Sequence, residues 1–303
     1  MLQAFAEKMR RITRAERMDN RLLLYAEAGI YRLEPKAEGI IRVSYTQDDF
    51  ITEKDKPGVI YREVCPDWTY EEEEEQIILR MKKLCLMIHR ETAAITYWNE
   101  DGEKLLETYN PTMEEFTTYR ILEEDLQVEK VATADGVKDV VRESVKVPTG
   151  KSYHTRIHCR FGEEALYGLG QHEEGFGSLR GQTVYLHQAN RKIAIPMLVS
   201  TKNYGILVDT YSPMIFNDNI YGTYFYTEAD SYIDFYVLAG NSMEEVIRGY
   251  RLLTGKAAML PKWAFGYIQS QERYETQAEI LEIAKEYDRR NLGLDCVVLD
   301  WCS

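Results

Sequence analysis

The sequence is short of cysteine, and the five it has (Cys65, Cys85, Cys159, Cys296 and Cys302) are scattered, odd in number and never spaced as C-x-x-C. Neither a disulfide framework nor a zinc site fits that pattern, and a reducing compartment, the cytoplasm, is the expected setting. Long apolar runs are missing too: nothing approaches the roughly 18 consecutive apolar residues of a membrane span, although 45% of the 303 residues are hydrophobic. Positive charge is the third deficit. Lys and Arg number 37 against 50 Asp and Glu, a formal net charge of −13. Nucleic-acid binders usually present a basic face, so a neutral or cationic ligand is the better expectation, with no nucleic acid and no membrane as partner. Histidine is sparse, and none of the five has a serine or cysteine partner in a triad-like pattern.

Tyrosine is abundant, twenty-two residues against nine Phe. It suits strands, and it also suits sugar-contacting surfaces because one ring supplies an apolar face and a hydroxyl. From Leu22 to about Ala239 short apolar stretches alternate with turn signals, as in GIIRVSYT, KIAIPMLVS, YGILVDT and SYIDFYVLAG. That spacing predicts a large antiparallel β-sandwich, with hairpin turns at Asp101-Gly102 and Lys202-Asn203-Tyr204-Gly205. The opening MLQAFAEKMRRITRAERM reads as a short amphipathic helix, since it lacks the apolar core and small-residue cleavage site of a leader. The acidic run Glu71 to Glu75 reads as a solvated loop or strand start.

The pattern changes at Asn241. NSMEEVIRGYRLLTG has a serine cap, apolar positions at helical spacing and a stop at Gly255. AFGYIQS then reads as a buried strand, QAEILEIAKEYDRRN after Thr276 as a helix, and LDCVVLDW as a second apolar strand. Strand, helix, strand with apolar strands is a βαβ unit with parallel pairing. Two parallel strands and one helix cannot cover both faces of a sheet, so this unit is expected to be the start of a larger domain. The expected divisions are a sandwich over 1–240, a connecting helix and linker over 241–260, and the first part of a barrel over 261–303.

In parallel α/β architectures sites are built at the C-terminal ends of strands. There stand Gln269, Gln271, Glu272 and Arg273 after the first strand, and Asp300 and Trp301 after the second. Asp300 closes the apolar run Cys296 to Leu299, a position that solvation explains poorly, whereas Glu272 and Arg273 have the blander option of pairing with each other or capping the next helix. Within the sandwich, the glycines of LYGLGQHEEGFGSLRG resemble a phosphate loop only superficially, because no helix and no Lys-Ser or Lys-Thr follows. Gln171, His172, His187, Gln188 and Asn190 form a long polar loop suited to reaching a neighbouring domain. His154 and His158 share a strand face but lie too far apart for a metal.

The order YGLGQH, IPMLVSTKNYGILVD, LLTGKAAMLPKWAFGYIQSQERY and NLGLDCVVLDW resembles glycoside hydrolase family 31, the retaining α-glucosidases and α-xylosidases, and ERY and DW look closest to the α-xylosidase branch. The resemblance implies a mutarotase-like N-terminal sandwich, then a (β/α)8 catalytic barrel and further β domains of the same polypeptide. A barrel takes roughly 250 residues, and about forty follow Pro261. The family's nucleophile and acid/base aspartates are therefore expected beyond Ser303, so no catalytic residue falls in this chain and the chain alone is expected to be inactive. What carries over is carbohydrate binding without a cofactor or metal. Asp300 matches the aspartate that binds sugar hydroxyls in the −1 subsite, with Trp301 beside it. Glu272 and Arg273 match the wall of the same pocket, and His172 contributes from the sandwich. A non-catalytic carbohydrate-binding sandwich is the alternative, a mutarotase-type epimerase a third, and a homo-oligomer is compatible with all three.

Overall fold

A computed structural model of the chain describes residues 10–51, 56–122, 127–133, 136–143 and 145–300. It divides into two compact units, 1–255 and 256–303. The first holds two antiparallel sheets among the described residues. One has eight strands in the order β1 (Ile12–Met18), β2 (Arg21–Ala26), β3 (Gly29–Ala37), β4 (Ile40–Thr46), β19 (Ile233–Ala239), β16 (Tyr204–Val208), β15 (Ile193–Ser200) and β13 (Leu166–Gln171). The other has nine, in the order β14 (Thr183–Leu186), β17 (Met214–Asn219), β18 (Gly222–Asp230), β12 (Lys146–Arg160), β9 (Lys104–Ile121), β8 (Ile95–Asn99), β7 (Leu84–His89), β6 (Gln76–Arg80) and β5 (Thr69–Glu72). A separate two-stranded ribbon, β10 (Gln127–Thr133) with β11 (Gly136–Glu143), interrupts the β9–β12 hairpin. The fold is mainly β, as expected.

Period-two alternation builds the core. In β12, Tyr153, Thr155, Ile157 and Cys159 are buried, while His154, Arg156 and His158 take the other face. Residues of both sheets, among them Leu33, Val43, Phe235, Ile77, Leu86, Tyr97 and Phe225, meet in one cluster. The strands β4, β16 and β19 break the alternation because both of their faces are covered. Ile41, Ile206 and Val237 point into the main core, and their neighbours Ile40, Leu207 and Leu238 join a second cluster with Val59 and with Val246 and Leu253 of helix α1 (Met243–Thr254). This explains why β16 and β19 are buried along their whole length. The helix begins where Ser242 accepts a hydrogen bond from the Glu245 amide at 3.2 Å, and it ends at Gly255 with φ 88°.

The glycines of YGLGQH have a structural task. Gly168 and Gly170 have φ of 103° and 98°, and a Cβ on them would come 2.3 Å from the carbonyl oxygen of Met197 and 1.9 Å from that of Ile193. They let β13 press against β15 through an irregular register while Leu169 between them stays fully buried.

The N-terminal expectation needs correction. Residues 1–9 lie outside the described residues, but 12–18 form a strand paired with β2, not a helix. The interleaved arginines that suggested a helix face are used across the sheet: the Arg14 and Arg17 guanidiniums lie 3.9 and 4.0 Å from the ring centroids of Tyr25 and Trp68. Ile12 is buried in the core, so tertiary pairing overrides local propensity. The hairpin glycine Gly102 has φ 77° and Asn203 has φ 60°, in keeping with both predicted turns. The acidic run begins in β5 and stays exposed.

In the second unit β20 (Ile268–Glu272) pairs in parallel with β21 (Cys296–Asp300), and α2 (Gln277–Arg289) connects them. Thr276 caps α2 by accepting from the Glu279 amide at 3.2 Å. The first strand starts later than predicted. Pro261 leads into a single 3-10 turn over Lys262–Phe265, closed by the Ala264 amide donating to the Pro261 carbonyl at 3.0 Å, so extended pairing begins only at Ile268. No described residue of this unit is buried, and Phe265, Leu281 and Leu299 are 75%, 50% and 55% exposed. Among the described residues no helix is long and apolar enough to cross a membrane.

Candidate functional site

Parallel pairing places Glu272 directly beside Asp300 at the C-terminal edge of β20 and β21. Arg273 follows with φ 50°, a left-handed conformation held by its amide donating to the Asp300 carbonyl at 3.2 Å. Its guanidinium lies 3.4 Å from Glu275 Oε1. The side chains of Glu272, Arg273 and Asp300 are all exposed. Beneath them Gln269 Oε1 accepts from the hydroxyls of Tyr267 at 2.9 Å and Tyr287 at 2.7 Å, which fixes the side chain on this strand. Two carboxylates and a guanidinium at one strand edge supply acceptors and a donor for a ligand rich in hydroxyls. Trp301 lies outside the described residues.

His172 belongs to the other unit. Its Nε2 is 2.8 Å from the Leu169 carbonyl, and its Nδ1 is buried with no hydrogen-bond partner among the described residues. The Glu173–Arg191 pair at 3.1 Å and the Glu174–Lys192 pair at 2.9 Å tie the segment after β13 to the turn before β15. His154 and His158 stand apart, as their spacing predicts: the first stacks on Phe116 with ring centroids 4.5 Å apart, and the second has its Nδ1 3.2 Å from the Asn110 carbonyl.

A feature the motifs did not reveal lies in the sandwich unit. Between Gly58 and Val59, the segment after β14, the β16–β17 connection and the last turns of α1 is a pocket of about 570 Å³. Leu207, Pro196, Val59 and Tyr250 give it an apolar lining, His187 and Gln188 stand on its wall, and Asp209 is its carboxylate. Asp209 is only 8% exposed. Its nearest cation is Lys56, with Nζ 3.9 Å from Oδ2, and among the described residues no donor lies within hydrogen-bonding distance of its carboxyl oxygens. Burial pushes its pKa up to about 6, Lys56 and Arg42 opposing and Asp234 and Asp230 adding to the rise.

Asp209 borders a buried ion cluster on the outer face of the eight-stranded sheet. Asp234 accepts from Arg42 Nε at 2.9 Å and Nη2 at 2.8 Å, from Ser44 Oγ at 3.0 Å and from Lys56 Nζ at 2.8 Å. Burial alone would raise the Asp234 carboxyl, but Arg42 and Lys56 hold it below its ordinary value. Lys56 also donates to the Asp209 carbonyl, so one ammonium pins the β4–β5 connection against both strands. The signal for Asp209 was present in the sequence: it closes the apolar run of YGILVDT as Asp300 closes CVVLD.

Comparison with known proteins gives this geometry its context. Residues 30–217 match the glycosyl hydrolase 31 N-terminal galactose mutarotase-like domain, and residues 257–303 match the glycosyl hydrolases family 31 TIM-barrel domain. An α-xylosidase of Saccharolobus solfataricus is 46% identical over 149 residues, which is 46% of this chain and 20% of that protein. An uncharacterized family 31 glucosidase of Pseudescherichia vulneris is 29% identical over 281 residues, covering 91% of this chain and 50% of its own. The fold is shared with a crystal structure of a GH31 α-xylosidase from a soil metagenome complexed with xylose, at a TM-score of 0.73 and 21% identity, over 96% of this chain and 42% of that one. The chain thus spans half or less of the length of these relatives. A matched N-terminal sandwich domain over more than half of the chain, with a match to the family's TIM-barrel domain further along it, makes the chain a member of glycoside hydrolase family 31.

Proposed function

We propose that the protein containing this chain is a retaining, exo-acting α-glycosidase that releases terminal α-xylosyl or α-glucosyl units. The observation that carries the proposal is the adjacency of Glu272 and Asp300 at the C-terminal edge of a parallel strand pair, the edge that serves as the active face of (β/α)8 barrels. On this reading Asp300 binds sugar hydroxyls through hydrogen bonds that strengthen as the ring distorts toward an oxocarbenium-like transition state. Glu272 and Arg273 wall the pocket and bear on whether a hydroxymethyl group fits, while Trp301 adds a contact. The nucleophile and the acid/base, two carboxyl groups about 5–5.5 Å apart in a retaining enzyme, lie beyond Ser303 in the remaining barrel, which with the C-terminal β domains is the principal partner of this chain. The free thiols of Cys65, Cys85, Cys159 and Cys296 support a cytoplasmic setting.

The test is hydrolysis of p-nitrophenyl α-xyloside and p-nitrophenyl α-glucoside by the whole protein. Turnover of one or both is expected, with kcat/KM falling about a hundredfold in Asp300→Asn, equivalent to ~3 kcal/mol of transition-state stabilisation. Residues 1–303 alone should turn over neither. Absence of hydrolysis by the whole protein, or an Asp300→Asn variant as fast as wild type, would refute the proposal.

A further inference from the structure

Carboxylates are seldom buried without a close partner, and Asp209 is 8% exposed with its ammonium partner, Lys56 Nζ, 3.9 Å from Oδ2. The residue lines an open pocket instead of disappearing into the core. The pocket's 570 Å³ is in the range of small-molecule sites, about 300–1,000 Å³, which are mostly apolar with a few convergent polar groups. Here the apolar part is Val59, Pro196, Leu207 and Tyr250, and the polar part is Asp209 with His187 at the wall.

We propose that this pocket of the sandwich unit binds a neutral sugar ring, with the C–H face of the ring against the apolar lining and a ring hydroxyl donating to the Asp209 carboxylate. The choice of a neutral donor follows from Lys56. Its ammonium already stands 3.9 Å from Asp209 Oδ2, so a cationic ligand would be forced against a like charge, whereas a hydroxyl meets no such repulsion. An anionic ligand would meet the Asp209 carboxylate. A sugar is the class of ligand that combines an apolar face with several neutral hydroxyl donors, and the half-buried Tyr250 offers the matching ring surface. The inference stands on the pocket's chemistry and does not rest on glycosidase activity.

The test is calorimetric titration of the whole protein with methyl α-xyloside and methyl α-glucoside, in wild type, Asp209→Asn and Thr254→Trp. Thr254 lines the pocket at the end of α1, so an indole there obstructs it, while Asp209→Asn keeps shape and removes charge. One saturable component should weaken about tenfold in Asp209→Asn and vanish in Thr254→Trp. A carboxyl with pKa about 6 is about 90% ionised at pH 7 and about 10% at pH 5, so the same component should weaken about tenfold over that interval in wild type. The groups facing Asp209 are Lys56, Arg42, Asp234 and Asp230, with His187 across the pocket. The Asn variant, which keeps them all, should lose this response. Titrations unchanged by both variants would overturn the proposal, as would Asp209-dependent binding of cyclohexylammonium in place of either glycoside. Hydrolysis is read separately: an inactive protein with Asp209-dependent glycoside binding would remove the glycosidase and leave this site, and an active protein without that binding would do the reverse.

Discussion

Asp209→Asn should make the folded protein more stable at neutral pH. The Asp209 carboxyl rises from its ordinary 3.8 to about 6 in the fold, which at about 1.36 kcal/mol per pKa unit makes its ionised form cost roughly 3 kcal/mol of folding free energy. The sign follows from proton binding. Between about pH 4 and 6 the folded chain holds this proton and the unfolded chain does not, so wild-type stability falls as pH rises through that window and stays reduced above it. Asparagine is neutral throughout and of the same shape, so its advantage should be near zero at about pH 4, grow up to about pH 6, and level off at ~3 kcal/mol by about pH 8. For a unit of 255 residues this corresponds to a rise in melting temperature of roughly 6–12 °C. Urea denaturation of both forms across that pH range measures it. A gain that is the same at low and high pH, or an Asn variant less stable than wild type at about pH 8, would show that Asp209 is not held in an unfavourable ionised state. A residue that costs stability at working pH is what a binding site retains and a structural core discards.

Asp234→Ala should have the opposite effect, destabilising the protein by about 3–5 kcal/mol, because Arg42 and Lys56 would be left as buried cations; equilibrium unfolding at neutral pH reads it. Gly170→Ala should cost about 3 kcal/mol, near the top of the ordinary range, since its Cβ would stand 1.9 Å from the Ile193 carbonyl oxygen at φ 98°. Leu253→Ala should cost about 2–5 kcal/mol and loosen α1 from β16 and β19, which hydrogen exchange in the helix would report.

The sandwich was legible in the sequence because alternation and turn residues are local signals. So were both helices, whose Ser242 and Thr276 caps do what their positions suggest. The Glu272–Asp300 edge was legible as well, since parallel strand ends juxtapose whatever follows each apolar run. Three things were not. The strand at Ile12–Met18 depends on Tyr25 and Trp68 for its arginine partners, and Trp68 is far along the chain. The late start of β20 depends on one turn after Pro261. The ion cluster joins Arg42 to Asp234 across 192 positions and Lys56 to Asp234 across 178, so neither periodicity nor motif registers it. Asp209 falls between these cases. The rule that singled out Asp300, a carboxylate closing an apolar strand, applies equally to it, but nothing local told that one of the two would face a pocket lined from five segments.

Lys56 links the cluster to the pocket, and that link has a direction that can be measured. Its ammonium is held above its ordinary pKa despite burial by Asp234 and Asp209, and it is the cation that most opposes the rise at Asp209. Lys56→Met removes that opposition and leaves Asp234, Asp230 and burial, so the Asp209 pKa should move further up, and the pH at which the Asn variant gains its advantage should move up with it. Affinity for sugar is a poor readout here, because Lys56 also holds the β4–β5 connection that supplies Gly58 and Val59 to the pocket wall, and losing the wall would weaken binding for a different reason. The midpoint of the stability difference between Lys56→Met and Lys56→Met/Asp209→Asn is free of that ambiguity, since both proteins share the altered wall. With Lys56 present the midpoint falls at about 5, midway between the ordinary 3.8 and the folded value of about 6, so a midpoint clearly above about 5 identifies Lys56 as the charge that keeps Asp209 ionised enough to accept a hydroxyl at neutral pH. A midpoint unchanged or lower would mean that Arg42 sets the field at Asp209, and that Lys56 serves only to fasten the connection to the sheet.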